Sequence, residues 1–220
     1  MHPTVTIVDY GRSNLLSVQR ALEYCGAAVE YASTPEQVFA AGALVLPGVG
    51  AFADGMNLLR ESGLARAVCT RARQGVPLLG ICLGMQFLFD SSSEGGLTPG
   101  LGLLPGTVEA IPGHTTQGQP LRVPHIGWAP LYPAQQREGF LGSTLEAIPT
   151  KSQVYFVHGY RAMPARPTGW RTRCMAGTES VPPCSAAILP GYSFTRRKAA
   201  RWASSFCARS WAAARREDRG

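Results

Sequence analysis

Short apolar runs alternate with amphipathic segments through the first part of this chain. Four runs dominated by apolar side chains and bounded by turn-forming residues predict strands, at residues 5–9, 27–31, 43–46 and 76–81. Helical patterns follow these runs; they begin near residues 14 and 35 and extend over residues 51–73 and 82–89. Because strands and helices alternate at this spacing, the pattern predicts an α/β fold with a mostly parallel central sheet and flanking helices.

The pattern changes after the glycine pair at residues 95–96. Strand-like runs at residues 107–111, 121–123 and 153–160 are joined by loops rich in Gly and Pro, with no helical pattern between them. We therefore expect an antiparallel extension packed beside the parallel core. No apolar run approaches the ~20 residues that span a bilayer, and we expect no secretory leader before the first strand.

The composition is typical of one globular domain with a single core. The 220 residues are 45% hydrophobic and 16% charged. The six cysteines are widely spaced and include no Cys-x-x-Cys pair, which argues against a disulfide framework and against a zinc site. We predict a reduced, cytoplasmic protein that uses no metal and no cofactor and does not bind a membrane.

The net charge of +7 belongs entirely to the last part of the chain. Residues 171–220 hold 10 of the 21 basic and 3 of the 14 acidic residues, which leaves 11 of each sign before them. A basic tail is one pattern of nucleic-acid or membrane binding, but the balanced first part has no basic stripe to continue such a surface. The other interpretation is that the tail is not the sequence with which this fold evolved.

The most informative segment is PLLGICLGMQ, at residues 77–86. An apolar strand delivers Cys82 into a Gly-x-Cys-x-Gly turn that opens directly into a helix. This is the thiol form of a nucleophile elbow, in which flanking glycines permit a tight turn. Backbone N–H groups at a helix start favour a thiolate, and the Leu83 amide would be able to donate to an oxyanion. A buried structural cysteine is the alternative, but it accounts for neither the glycines nor the strand-to-helix switch.

A second glycine-rich segment, PGVG at residues 47–50, follows another predicted strand. It lies at the carboxyl end of that strand, on the side of the sheet where α/β proteins bind ligands. Its glycines would let main-chain N–H groups face a developing negative charge. Alone the segment is an ordinary turn, but together with the elbow at Cys82 it is a candidate oxyanion hole.

Together these segments resemble the class I glutamine amidotransferases, a family with a flavodoxin-like fold. More narrowly, the chain is similar to the glutaminase subunits of imidazole glycerol phosphate synthase. The resemblance covers residues 4 to about 170 and rests on segments in the same order: DYGRSNL at 9–15, PGVG at 47–50, GICLGMQ at 80–86, PHIGW at 124–128 and VYFVHGY at 154–160. Two departures are small: Ser13 stands where glycine is usual, and Gly159 where serine is usual.

The resemblance implies a role for each matching residue. Cys82 would attack the carboxamide of glutamine, form a glutamyl thioester and release ammonia. The remaining site residues would be Gly48, Val49 and Leu83 for the oxyanion, and Gln86 and Gly50 for glutamine.

A cyclase subunit is the partner that the resemblance implies, in a heterodimer. Ammonia would pass directly to it and would be used to make imidazole glycerol phosphate and aminoimidazole carboxamide ribotide in histidine biosynthesis. Trp128 and His125 would lie toward that partner. The alternative for these two residues is a hydrogen-bonded, half-buried pair in a loop.

The family takes its general base from a His-Pro-Glu motif near the C-terminus, and these 220 residues contain no His-x-Glu. When residues 193–200 are back-translated with permitted codons and read two bases on, they give Phe-His-Pro-Glu-Lys-Ser. Neighbouring segments, at residues 173–176, 182–187 and 205–211, can be reread in the same way. The hypothesis is a frameshift near residues 167–174, so that residues 1–172 form an incomplete glutamine amidotransferase domain and residues 173–220 an out-of-frame, non-native tail.

Three functions remain open at this point. The first is an active glutaminase subunit coupled to a cyclase. The second is a catalytically impaired copy that acts only as a binding partner, or a different class I glutamine amidotransferase. The third is a nucleic-acid module with a basic tail, which the charge balance of residues 1–170 disfavours, so that no nucleic-acid partner is expected.

Overall fold

The computed structural model describes residues 3–115, 117–132 and 149–165 of the chain. They fall into two compact units, of which the first ends at Met85 and the second begins at Gln86. The predicted domain boundary at residue 172 and the predicted tail, residues 173–220, lie outside the described residues.

The first unit is built on a four-stranded parallel sheet. Its strands are β1 (Thr4–Val8), β2 (Ala28–Ala32), β3 (Leu44–Leu46) and β4 (Leu78–Gly80). They lie side by side in the order β2-β1-β3-β4, and all three pairs are parallel. Each strand overlaps a run that the sequence predicted, so the mostly parallel α/β core is confirmed.

Four helices connect these strands: α1 (Leu15–Tyr24), α2 (Pro35–Ala40), α3 (Phe52–Glu61) and α4 (Leu64–Arg73). The Asn14 side chain caps α1 by accepting a hydrogen bond from the Ser17 amide at 3.3 Å. Thr34 and Gln37 form a reciprocal capping box at the start of α2. The predicted helical stretch at 51–73 divides into α3 and α4 at Gly63, whose backbone is left-handed.

Alternate residues of the sheet pack against helix α1. Val5 and Ile7 of β1 form one cluster with Val18 and Leu22 of α1 and with Val45 of β3. The residues that point to the opposite face are also buried, namely Val8, Leu44 and Leu46. Because the strands are parallel, the loops that follow β1, β3 and β4 all leave the sheet at its carboxyl edge.

The second unit contains two smaller sheets, with strands β5 (Phe89–Ser92), β6 (Thr98–Pro99), β7 (Leu104–Ala110), β8 (His125–Pro130), β9 (Gln153–His158) and β10 (Tyr160–Pro164). One sheet has the order β10-β7-β5-β6 and is mixed, since β5 and β7 are parallel while the outer pairs are antiparallel. The other is the antiparallel pair β8–β9. The expected antiparallel extension is therefore only partly antiparallel.

The predicted helix over residues 82–89 is wrong in its length. The helix α5 (Leu83–Gln86) has one turn, and β5 begins at Phe89. The carbonyls of Phe87 and Leu88 accept hydrogen bonds from the amides of Leu101 and Leu104, at 2.7 and 2.8 Å, so they are no longer free to continue a helix. A short apolar run has the same pattern in a buried helix and in a strand, which is why the sequence did not separate them.

Two strand predictions in the second unit also need correction. Residues 121–123 form no strand, and pairing begins only at His125. The predicted strand at 153–160 is two strands that belong to different sheets and meet at Gly159.

Candidate active site

Cys82 lies in the turn between β4 and α5, in a strained backbone conformation. Its φ is +54°, in the left-handed region that few residues other than glycine adopt. The Ile81 amide donates to the Leu46 carbonyl at 2.9 Å, and the Met85 amide donates to the Cys82 carbonyl at 3.0 Å. The turn is thus fixed to β3 on one side and to the helix on the other. This is the strand-turn-helix geometry of a nucleophile elbow.

The two glycines that flank the cysteine allow this turn to pack closely. A Cβ on Gly84 would meet the Leu46 carbonyl and would lie 2.9 Å from the Pro47 carbonyl carbon. A Cβ on Gly80 would lie 2.8 Å from the Met85 amide nitrogen. In both cases the obstacle is main chain, which cannot rotate away as a side chain can. The Gly-x-Cys-x-Gly spacing is therefore a packing requirement of the elbow.

We expect Gly84→Ala to lower the free energy of unfolding by roughly 1–3 kcal/mol, the usual effect of overpacking. The loss should appear although alanine favours helices more than glycine does. Urea denaturation of the unsubstituted chain and of the Gly84→Ala variant measures this loss of stability. Gly42→Ala is the matched control, because a Cβ at Gly42 would have nothing within 4 Å. Equal unfolding midpoints for the two variants would contradict the packing requirement.

The PGVG loop lies directly against the elbow. A Cβ on Gly48 would lie 2.8 Å from the Gly84 amide nitrogen and 3.0 Å from the Leu83 Cβ. Val49, the next residue, is exposed. The structure thus brings together Gly48 and Leu83, two of the three predicted oxyanion residues, from the segments that follow β3 and β4.

Arg12, which the sequence analysis did not single out, reaches this loop from the segment after β1. Its Nη1 atom would lie 3.3 Å from a Cβ on Gly50. The same atom is 3.3 Å from a carboxylate oxygen of Asp54 on α3, and both side chains are about half exposed. An exposed pair of this kind contributes little to stability, so its main effect is to place a positive charge beside Gly50.

Burial raises the pKa of the Cys82 thiol above its ordinary value, and a hydrogen bond from the Leu83 amide opposes this only in part. The Leu83 amide at the helix start thus favours the thiolate, as expected, but burial outweighs this contribution. The physical reason is that α5 has a single turn while the thiol is largely removed from water. At neutral pH the thiol is mostly protonated, so the site needs a base to use it as a nucleophile.

Gln86 is the last residue of α5 and is 6% exposed. A buried polar side chain at this position fits a binding residue, and its predicted role in holding glutamine stays a prediction.

The two predicted partner-facing residues lie on opposite faces of the β8–β9 pair. His125 pairs with His158 in the register, and its ring stacks on the buried Phe156 with centroids 5.3 Å apart. Trp128 is 50% exposed and packs edge-on against Tyr155, with centroids 5.7 Å apart. Both residues are in a strand and not in a loop. Of the two, Trp128 is exposed and His125 is partly buried.

His125 and His158 are neighbours with rings 5.5 Å apart. Burial lowers the pKa of both, and for His158 a hydrogen bond to the Tyr160 carbonyl opposes this. Both are therefore neutral at pH 7.

No group of three His, Cys, Asp or Glu side chains suited to a metal ion occurs within residues 3–115, 117–132 and 149–165. In the same part of the chain, no helix is both long enough and apolar enough to cross a membrane.

The family model for "Glutamine amidotransferase class-I" matches residues 6–182. A crystal structure of a glutamine amidotransferase has the same fold, with a TM-score of 0.57 and 21% identity, over 80% of this chain and 82% of that one. The PurLQS structure from Thermotoga maritima gives a TM-score of 0.53 and 23% identity, over 75% and 71% of the two chains. The chain belongs to the class I glutamine amidotransferases.

Curated relatives narrow the assignment within this class. The imidazole glycerol phosphate synthase subunit HisH 1 of Legionella pneumophila strain Lens is 48% identical over 164 residues, which are 74% of this chain and 77% of the relative. Subunit HisH of Geobacillus sp. strain WCH70 is 48% identical over 156 residues, 71% of each. Subunit HisH of Moorella thermoacetica is 46% identical over 160 residues, 73% of this chain and 71% of the relative. Within its class, the chain belongs to the HisH family of these relatives.

Proposed function

We propose that this chain is the glutaminase subunit of an imidazole glycerol phosphate synthase, with Cys82 as its nucleophile. The observation that carries the proposal is the strained cysteine, held on its elbow directly against the Gly48 loop. The test is glutamate formation from glutamine by the chain, with the reading frame of its last part restored as described below, together with its cyclase subunit, before and after Cys82 is replaced.

The proposed reaction passes through a thioester. The Cys82 sulfur, once deprotonated, attacks the carboxamide carbon of glutamine, and the carbonyl oxygen becomes an oxyanion. The amide of Leu83 and the main chain at Gly48 and Val49 stabilise that charge. The carbon–nitrogen bond then breaks, and the nitrogen takes up a proton and leaves as ammonia. Water hydrolyses the thioester to glutamate and restores the thiol.

Each step of this reaction needs a proton carrier, and the 220 residues hold no His-Pro-Glu segment. We infer that the motif is encoded in another frame. In a shift of two bases, each reread codon joins the third base of one codon to the first two bases of the next codon. The amino-acid sequence therefore largely determines its second and third bases, and only its first base is free to vary. With so little freedom, residues 182–200 reread without interruption as Ala-Val-Gln-Arg-Gly-Asn-Leu-Ala-Gly-Val-Gln-Phe-His-Pro-Glu-Lys-Ser-Gly.

The comparison with the relatives supports this inference. The Legionella alignment leaves part of both chains unmatched, because it covers 74% of this chain and 77% of the relative. A shifted frame would leave such an unmatched part in each of the two chains. We therefore propose that residues 1–172 carry the amidotransferase domain and that residues 173–220 are translated out of frame, which leaves the chain catalytically impaired.

The cyclase partner would bind an exposed apolar strip on the β8–β9 pair. The strip consists of Ile126, Trp128, Tyr155 and Val157, which face one another across the two strands. Ile126, Trp128 and Val157 are 58%, 50% and 41% exposed. A contiguous exposed apolar surface centred on a tryptophan is typical of protein interfaces.

We expect Trp128→Ala to weaken binding of the cyclase about 30-fold, which corresponds to about 2 kcal/mol. Titration calorimetry with the purified cyclase subunit measures the effect. Leu97→Ala is the control, since Leu97 is an apolar residue of the same unit that is 82% exposed and lies outside the strip. If the two variants bound equally well, the strip would not be the interface.

A further inference from the structure

Tyr10 lies under the predicted oxyanion loop. It lies two residues beyond the end of β1 and is only 6% exposed. The main chain around it is held in place, because the Asp9 amide donates to the Ala32 carbonyl at 2.8 Å and the Gly11 amide donates to the Asp9 carboxylate at 3.0 Å. A buried aromatic side chain on a fixed main chain is a rigid support.

The hydroxyl group of Tyr10 is the part that reaches the loop. A Cβ on Gly48 would lie 2.7 Å from the Tyr10 Oη atom, closer than to any other atom around it. The next two neighbours are the Gly84 amide nitrogen, at 2.8 Å, and the Leu83 Cβ, at 3.0 Å. Gly48 therefore packs against the phenol and the start of the elbow helix together, on the side where a side chain would stand.

Tyr10 is also within electrostatic range of the nucleophile. Burial raises the pKa of Tyr10, the negative charge of the Cys82 thiolate raises it further, and Arg12 lowers it. The phenol is thus neutral at every pH at which the enzyme would work, and its hydroxyl is a polar group in an otherwise water-poor site.

We propose that Tyr10 is a positioning residue, whose hydroxyl supports Gly48 together with the amide end of the elbow and places a polar group next to the elbow of Cys82. This proposal rests on the proposed function, because it assigns Tyr10 to the same oxyanion site. Tyr10 acts through the loop and the thiol and does not touch the scissile bond. Gly48 and Tyr10 then depend on each other. A larger side chain at residue 48 would collide with the Tyr10 hydroxyl, and a shorter side chain at residue 10 would leave Gly48 without this contact.

The test is Tyr10→Phe, which removes one oxygen and leaves the ring. In the 220-residue chain, alkylation of Cys82 by iodoacetamide is followed by mass spectrometry across a range of pH. We expect alkylation to be about 3- to 10-fold slower at pH 8, with the profile moved to higher pH, because a hydroxyl that favours the thiolate contributes about as much as one hydrogen bond. Cys69, on α4 of the same unit, is the internal control and should react at an unchanged rate.

A purely structural role of the Tyr10 hydroxyl would change the alkylation rate of Cys82 in the opposite direction. If the hydroxyl only stabilised the fold, Tyr10→Phe would loosen the loop, lower the melting temperature and make Cys82 react faster. Tyr24→Phe is the matched control, because Tyr24 is 46% exposed at the far end of α1. An unchanged or faster alkylation of Cys82 in Tyr10→Phe overturns the proposal.

A second measurement separates this proposal from the proposed function. In the frame-restored chain with its cyclase, Tyr10→Phe should lower kcat for glutamine about 3- to 10-fold and leave KM nearly unchanged, since the loop acts on the oxyanion. If Cys82→Ser abolishes turnover while Tyr10→Phe leaves kcat intact, only the positioning role fails. If Cys82→Ser retains turnover, the proposed function itself fails.

Discussion

Restoring the reading frame after residue 172 is expected to raise the glutaminase rate of this chain by roughly 10²–10⁴-fold, the usual contribution of a general acid–base pair. The nucleophile of the 220-residue chain has a pKa that burial raises, so the thiol is mostly protonated at neutral pH. Without a histidine to take the thiol proton and pass it to the departing ammonia, both the attack of the thiol on glutamine and the release of ammonia are slow. Without the glutamate, no group fixes the tautomer of that histidine.

The comparison uses two chains that differ only after the shift. One is the 220-residue chain, and the other is read two bases on from codon 172; both are assayed for glutamate formation with the cyclase. Thiol alkylation is the control, because modification of Cys82 in both chains shows that the difference in rate does not come from loss of a reactive thiol. Equal glutaminase rates would contradict the frameshift and would direct the search for a base to His158 and His125, which are both neutral at pH 7.

The parallel core was predictable because its signals are local. Each strand of the first unit is a short apolar run, and two of its helices have a start signal of their own, Asn14 before α1 and the Thr34 capping box before α2. The elbow at Cys82 was predictable for the same reason, since its two glycines stand beside the cysteine in the sequence. The second unit was predicted less well, because its strands pair over long distances and no local pattern marks where Gly159 divides β9 from β10.

The site was only partly predictable, and the misses concern contacts between distant segments. The sequence indicated the Gly48 loop and the Cys82 elbow separately, but not that Tyr10 lies beneath both. The available signal was that Tyr10 closely follows a predicted strand, at the same edge of the sheet. The raised pKa of the thiol was missed for a different reason: burial depends on how the whole unit packs, whereas the position at a helix start can be read from the sequence.

Replacing Cys82 by serine or alanine in the frame-restored chain should reduce glutamine-dependent synthesis by at least about 10³-fold, because the variant cannot form the thioester. Synthesis from free ammonium salts by the cyclase subunit should be unchanged, since that reaction does not use this site. Both rates are measured on the same complex, so loss of the glutamine rate alone identifies the nucleophile.

The matched control for this prediction is Cys69→Ser. Cys69 is a half-buried thiol of the same unit, and burial raises its pKa as it does that of Cys82. It lies within α4, however, and not on a strained turn between two glycines. Full glutamine-dependent activity of Cys69→Ser beside an inactive Cys82→Ser would show that position on the elbow, and not the mere presence of a buried thiol, confers the reactivity. Retention of glutamine-dependent synthesis by Cys82→Ala would mean that a different residue attacks the carboxamide, since alanine offers no atom that can bond to it.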